Sequence, residues 1–152
     1  MQIHYLRVAM KYPQLKLDNQ LCHRLYMASN SVVRAYRDAL KALELTYPQY
    51  VVMMALWEED EVTIAQLLQK TAIDGGAMTQ ILKKMTDKQL LMVIKDDNDK
   101  RKKLVKLQSH GVKMQLQAAD IPQQIRCQFP SINEHEAMQL IALLDKLNTD
   151  LA

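Results

Sequence analysis

Residues 63–107 hold two short helical patterns, an apolar β-branched run, a polar turn and an alternating strand, and few folds accept that order. Thr63 stands three residues ahead of Gln66, the capping-box arrangement that opens a helix. Ile64, Leu67 and Leu68 then mark a buried face. Asp74 is suited to cap a second helix, with Met78, Ile81, Leu82 and Met85 on its apolar side. Two short helices joined by a few residues make a helix-turn-helix. The run "LLMVIK", the turn "DDNDKRK" and the alternating "KLVKL" read as a β-hairpin. A hairpin directly after a helix-turn-helix is a wing.

The flanks are helical. Asp18 is expected to cap a first helix that runs to about Leu43, with Cys22, Leu25, Tyr26, Ser29, Val32, Val33, Tyr36 and Leu40 at helical spacing. "ELTYPQY" breaks it, and Thr46 caps a second helix with Pro48 in its first turn. After the wing, a helix starting near Ser109 is expected to reach Pro122. "CQFPS" ends that region, and Ser131 with Glu134 is expected to form the capping box of a last helix carrying Met138, Ile141, Leu144 and Leu147. The fold class is therefore mainly α with a small β-hairpin wing. Residues 46–108 form a winged helix-turn-helix, and residues 1–45 and 109–152 form a helical region with nothing local to pack on. Such flanking helices commonly dimerise, and two-fold readers of DNA need a dimer.

Charge points to the partner. The net charge is only +3, but the window 83–106 holds nine Lys or Arg against four acids. A local basic block on a near-neutral body fits a polyanion, but taken alone it is more often a solvated mixed-charge hairpin, and only its place after a helix-turn-helix favours the polyanion. In helix-turn-helix geometry the second helix enters the major groove. It would present Gly75, Ala77, Met78, Thr79, Gln80, Lys83 and Lys84, while Asp99, Lys100, Arg101 and Lys102 stand at the turn of the basic wing. The partner expected is double-stranded operator DNA. Gly75 and Gly76 at a helix start lack the lysine and the strand of a nucleotide-binding loop.

Other classes fall away. The longest apolar run, residues 50–57, is too short to span a bilayer, and "MQIHYLRVAMKYPQ" has no sustained apolar core or cleavage site of a signal peptide. A cytoplasmic protein without a membrane partner is expected. His4, His23, His110 and His135 show no ligand spacing and no C-x-x-C occurs, so neither a metal nor another cofactor is expected.

The two cysteines, Cys22 and Cys127, are the remaining chemistry. In a reducing compartment a structural disulfide is uncommon, and paired cysteines are more often catalytic or redox-sensing. Burial statistics for free cysteine favour simple core packing of Cys22. The thiolate is the reactive form, and orphan N–H groups near a helix start stabilise an anion there.

"LDNQLCHRLYMAS", "RAYRDAL", "LTYPQYVVMMALWE", "IDGGAMTQILKKM", "DNDKR" and "LQSHG" resemble MarR-type winged-helix regulators, in particular the two-cysteine members of the organic hydroperoxide resistance repressor branch. The likeness runs from about Leu17 to Gly111 and more loosely to Cys127. "NQLC…LY" with "LTYPQY" is its more specific part. It implies that Cys22 is the peroxidatic cysteine, that Tyr36 and Tyr47 donate to its sulfur from the partner subunit, and that Cys127 resolves the oxidised form. It also implies that Asp99 and Arg101 are the wing's Asp-x-Arg, whose arginine enters the minor groove. The family's usual Asp-Ser-Gly-Thr-Leu-Thr-Pro is here Asp74-Gly75-Gly76-Ala77-Met78-Thr79-Gln80, without two hydroxyls, and His23 replaces the usual aromatic after the reactive cysteine.

Tyr36 lies fourteen residues beyond Cys22 on the same expected helix. That is a rise of roughly 21 Å at 1.5 Å per residue, out of reach within one chain. The redox reading therefore requires a homodimer. The expectation is a peroxide-sensing repressor, not an enzyme, that binds an inverted-repeat operator when reduced and leaves it when an organic hydroperoxide oxidises Cys22 and an intersubunit disulfide forms with Cys127. Three rivals stand beside it: a regulator gated by a small phenolic or drug-like ligand with incidental cysteines, a thiol peroxidase that turns over, and a structural helical adaptor.

Overall fold

A computed structural model describes residues 12–152. The first eleven residues, with His4, most of the leader reading and the start of the first helical region, lie outside the described residues. The chain packs as two units, the first ending at Arg34 and the second running Ala35–Ala152.

In the first unit, two 3-10 turns, Pro13–Leu15 and Leu17–Asn19, lead into α1 (Leu21–Ala39). The Gln20 side chain donates to the carbonyls of Gln14 (2.7 Å) and Lys16 (3.1 Å), and Arg24 donates to that of Asp18 (2.9 Å). Asp18 is thus not the helix cap expected of it. It sits inside a 3-10 turn, and Gln20 behind it is extended, so the helix cannot begin before Leu21. Cys22 becomes the second residue of α1, closer to the helix start than the sequence suggested. No residue of α1 is buried, and Leu21, Tyr26, Met27, Val32 and Val33 all face solvent. The helix stops at Ala39 and tightens into a 3-10 turn, Lys41–Leu43, short of the expected α-helical end.

The second unit is built on α2 (Tyr47–Glu58), whose Tyr50, Val52, Met53, Ala55 and Leu56 are buried. Thr46 precedes it as expected, and Gln49 folds back to accept the Thr46 N–H at 3.0 Å. Next come β1 (Val62–Thr63), α3 (Ile64–Thr71), α4 (Gly75–Asp87), β2 (Leu91–Lys95) and β3 (Lys103–Leu107). The capping box is present: Gln66 accepts the Thr63 N–H at 2.8 Å and Thr63 accepts the Gln66 N–H at 3.2 Å. Asp74 accepts the Ala77 N–H at 2.9 Å, which fixes the start of α4. Leu67, Met78, Leu82, Met85, Leu90, Leu91 and Val105 close the core against α2.

The hairpin is one strand richer than expected. β3 lies between β1 and β2, both antiparallel to it, with Val93 opposite Val105 on one side and Val62 opposite Val105 on the other. Two residues are too few to show a period of two, which is why β1 left no signature in the sequence.

The region after the wing also differs. The single helix expected up to Pro122 is two, α5 (Ser109–Ala118) and α6 (Ile121–Arg126), because Pro122 opens a helix rather than closing one. The last helix, α7 (Glu134–Asp150), is capped two residues later than expected. Asn133 accepts the Glu136 N–H and Glu136 accepts that of Asn133, each at 2.9 Å. Ser131 lies in the turn ahead, and the extended backbone of Asn133 makes it the cap. No residue of α7 is buried, and Met138, Leu140, Ile141 and Leu143 are exposed.

Gly111 locks α5 to the foot of the wing. A Cβ there would collide with the carbonyl oxygen of Leu90, while the Gly111 carbonyl accepts the Trp57 indole N–H at 2.9 Å. Gly111→Ala is expected to cost about 2–3 kcal/mol by forcing the backbones apart, read as a lower midpoint in chemical denaturation. An unchanged midpoint would show that α5 and the wing tolerate separation.

Candidate nucleic-acid interface and thiol site

The outer face of α4 carries Gly75, Thr79, Gln80, Lys83 and Lys84, all exposed, with Ala77 half-buried beside them. Met78, counted above among the groove-facing residues, is fully buried. It belongs to the core side of the helix, where its spacing with Leu82 and Met85 puts it. The Thr79 hydroxyl donates to the Gly75 carbonyl at 2.9 Å.

The wing turn is organised by Asp96, which sequence reasoning passed over. Its carboxylate accepts the Asn98 N–H (2.7 Å) and the Asp99 N–H (3.1 Å), and the Asp96 N–H donates to Lys102 O at 3.1 Å. Those bonds, that from Asp99 first, hold its carboxyl below the usual carboxylate range. An aspartate followed by N–H groups two and three residues on is a turn signature, so "DDND" contained the signal. One oxygen of Asp99 accepts both the Arg101 backbone N–H (3.1 Å) and its Nε–H (3.2 Å). Asp99 is partly buried, whereas the Arg101 side chain is 92% exposed. The carboxylate therefore steers a guanidinium that protrudes into solvent. Lys100 pairs with Asp97 at 3.1 Å, and the exposed Lys102 has no ion pair among the described residues. Between the wing and the start of α3 lies a groove of about 570 Å³, bordered by Thr63, Gln66, Asp96, Arg101 and Lys102.

The thiol chemistry is dispersed along the chain. Cys22 and Cys127 are both free and exposed. Core packing of Cys22 is therefore not what this chain alone provides. Cys127 follows the last turn of α6, where its sulfur accepts from the Gln123 amide at 3.7 Å. It opens on a groove of about 470 Å³ shared with Arg126, Pro130, Ile132 and Glu134.

Tyr36 and Tyr47, by contrast, are brought together, with ring centroids 4.6 Å apart. Tyr50 joins them at 5.8 Å from Tyr36, and Trp57 stands edge-on to Tyr50 at 6.2 Å. The sequence marks Tyr50 only as one more apolar residue of α2, with no sign of a site role. Burial, then the neighbouring phenols Tyr47 and Tyr50, pushes the Tyr36 pKa up, so the hydroxyl keeps its proton and is fit to donate. Neither the Tyr36 nor the Tyr47 hydroxyl makes a hydrogen bond among the described residues.

No group of side chains among the described residues is suited to hold a metal, and no helix among them is long and apolar enough to cross a membrane.

The MarR family profile matches residues 45–103. The organic hydroperoxide resistance transcriptional regulator of Bacillus subtilis is 34% identical over 112 residues, covering 74% of this chain and 76% of that protein. The HTH-type transcriptional regulator SarZ of Staphylococcus epidermidis is 30% identical over 133 residues, 88% of this chain and 89% of its own. Among solved structures, Bordetella bronchiseptica BpsR, whose DNA binding is regulated by 6-hydroxynicotinic acid, superposes with a TM-score of 0.81 at 26% identity, covering 88% of this chain and 96% of that one.

Proposed function

The chain belongs to the MarR family of transcriptional regulators, and within it we propose that this one is a dimeric repressor released from its operator by organic hydroperoxide. The relatives are regulators rather than enzymes, and the proposed chemistry is a single switching event. Residues 12–45 and 109–152 supply the dimer, and residues 46–108 supply the reader of DNA. The exposed apolar residues of α1 and α7 support that division, since neither helix buries a residue within one chain.

The observation that carries the redox reading is the Tyr36–Tyr47 pair: two adjacent, half-buried phenols with uncommitted hydroxyls, the Tyr36 pKa raised by burial first. Supplied by one subunit to Cys22 of the other, they stabilise its thiolate by donating to the charged form. Cys22 also sits in the first turn of α1, where unpaired N–H groups favour an anion. The thiolate attacks the terminal oxygen of the hydroperoxide and the O–O bond breaks. Cys22 becomes a sulfenic acid, and the alkoxide leaves to take up a proton as the alcohol. The Cys127 thiol of the second subunit then attacks the sulfenic sulfur, forming a disulfide and releasing water. A covalent tie between subunits changes the spacing of the two wings and recognition helices, and a bias of about 5.5 kcal/mol moves a two-state equilibrium from one side almost wholly to the other.

The test is a gel-shift titration on a duplex chosen by the protein from a randomised pool, with the protein reduced and then treated with cumene hydroperoxide. Reduced protein binds and treated protein does not. Binding that survives the peroxide sinks the redox reading.

A second reading has its own support. BpsR answers to a small aromatic acid, and here a cleft of about 320 Å³ lies between Ala39, Ala42, Leu43, Gln117, Ile121 and Gln124. A phenolic ligand in such a cleft would release DNA with both cysteines replaced by serine.

A further inference from the structure

The recognition helix α4 offers DNA very few groups able to distinguish one base from another. In its first two turns, Asp74 is committed to the Ala77 N–H and the Thr79 hydroxyl gives its proton to Gly75 O. Gly75, Gly76 and Ala77 have no polar side chain, and Met78 is in the core. Gln80 is exposed, and its amide makes no hydrogen bond among the described residues. Lys83 and Lys84 follow a turn later as donors only. No arginine occurs in α4, so the bidentate arginine–guanine contact, the commonest base-specific one, is unavailable from this helix.

Gln80 is therefore the one outward side chain of this helix start that holds a free donor and a free acceptor in a fixed plane. That pair matches adenine, whose major-groove edge presents an N6 donor beside an N7 acceptor. Guanine shows two acceptors there and would leave the amide oxygen unpaired. The bare helix start helps the fit. A Cβ on Gly75 would meet nothing within 4 Å, so packing does not demand a glycine there, although glycine costs helix stability relative to alanine. Without that side chain the helix start lies closer to the groove, within reach of a medium-length amide. The Gly76 position has a separate cause, because a Cβ there would meet the capping Asp74 oxygen at 3.3 Å.

We propose that Gln80 is the principal base-reading residue of the recognition helix and that it selects an A·T pair, with adenine facing the helix, at one position of each half-site. This rests on the DNA-binding reading above. Substitution at this exposed position leaves the fold intact, since glutamine, alanine and arginine are all good helix formers.

The experiment is selection from a pool of duplexes with a randomised core, run with wild type, Gln80→Ala and Gln80→Arg, followed by affinities for the wild-type winner and its single-pair variants. Wild type should enrich an inverted repeat with a fixed A·T pair in each half. Gln80→Ala should lose discrimination at that pair alone, a drop of roughly 5- to 150-fold in preference. Gln80→Arg should move the preference there to G·C. If Gln80→Ala enriches the same repeat with equal stringency, or if the pair it relaxes is G·C in the wild-type selection, the proposal is overturned while the DNA-binding reading stands. A wild-type protein that enriches nothing overturns both.

Discussion

Stoichiometric cumene hydroperoxide is expected to convert the reduced protein into a disulfide-linked dimer on a non-reducing gel, and Cys22→Ser is expected to abolish that conversion and keep the protein on DNA. The expectation follows from two exposed, free thiols far apart in the sequence and from Tyr36 standing fourteen residues beyond Cys22 on α1, a helical rise of roughly 21 Å. Cys127→Ser separates the two steps. Its Cys22 should still lose its thiol, measured by alkylation and mass, but stop at sulfenic acid or over-oxidise without crosslinking. Tyr36→Phe removes one donor to the thiolate while keeping the ring packed, tilted, against Tyr47 and Tyr50, and should slow the first step by an amount on the order of 1–3 kcal/mol. Peroxide consumption that continues well past one oxidation per subunit would instead mark a thiol peroxidase. A wild-type protein that never crosslinks, yet leaves DNA when given a phenol, would leave the ligand-gated regulator as the surviving account.

What the sequence made legible were features written in short-range code. The threonine–glutamine box at Thr63 and Gln66, the cap at Asp74 and the alternating strand 103–107 each depend on residues within four positions of one another, and each folds as its local chemistry directs. The misread elements depend on something farther away or subtler. β1 exists because Val105 has a second open edge, which Val62 fills. Asp18 satisfied every local requirement of a helix cap, but the Gln20 side chain is anchored on the preceding turns and the helix starts later. The helical pattern from Ser109 runs through to Pro122 without a visible break, whereas Pro122, whose missing N–H suits a helix start, opens a separate helix. At the site, Met78 falls in both the apolar and the groove-facing sets of α4, and its full burial decides for the first. The resemblance pairs Tyr36 with Tyr47, but the place of Tyr50 beside them is not legible because it is concealed in an apolar run of α2.

In the wing, Arg101→Ala is expected to cut DNA affinity at low salt and to lower the slope of log affinity against log salt by roughly one unit per subunit, since each contacting cation displaces about one counterion from the duplex. The side chain is nearly fully exposed and so has little to lose in the folded protein by being shortened. Arg101→Lys keeps the charge and should keep most of the slope, but a lysine cannot reproduce the planar fork that a narrow minor groove accepts. Its affinity should therefore fall while its salt dependence does not. Asp99→Ala completes the separation. One oxygen of Asp99 now holds both the backbone N–H and the Nε–H of Arg101, so removing it frees the guanidinium without deleting it. If Asp99 acts by aiming Arg101, Asp99→Ala weakens binding with an unchanged slope, and adds little in the double variant with Arg101→Ala, because the residue being aimed is already gone. If Asp99 instead acts only by repelling phosphate, its removal strengthens binding in both backgrounds. The sign of that single change distinguishes a positioned arginine from a merely basic hairpin.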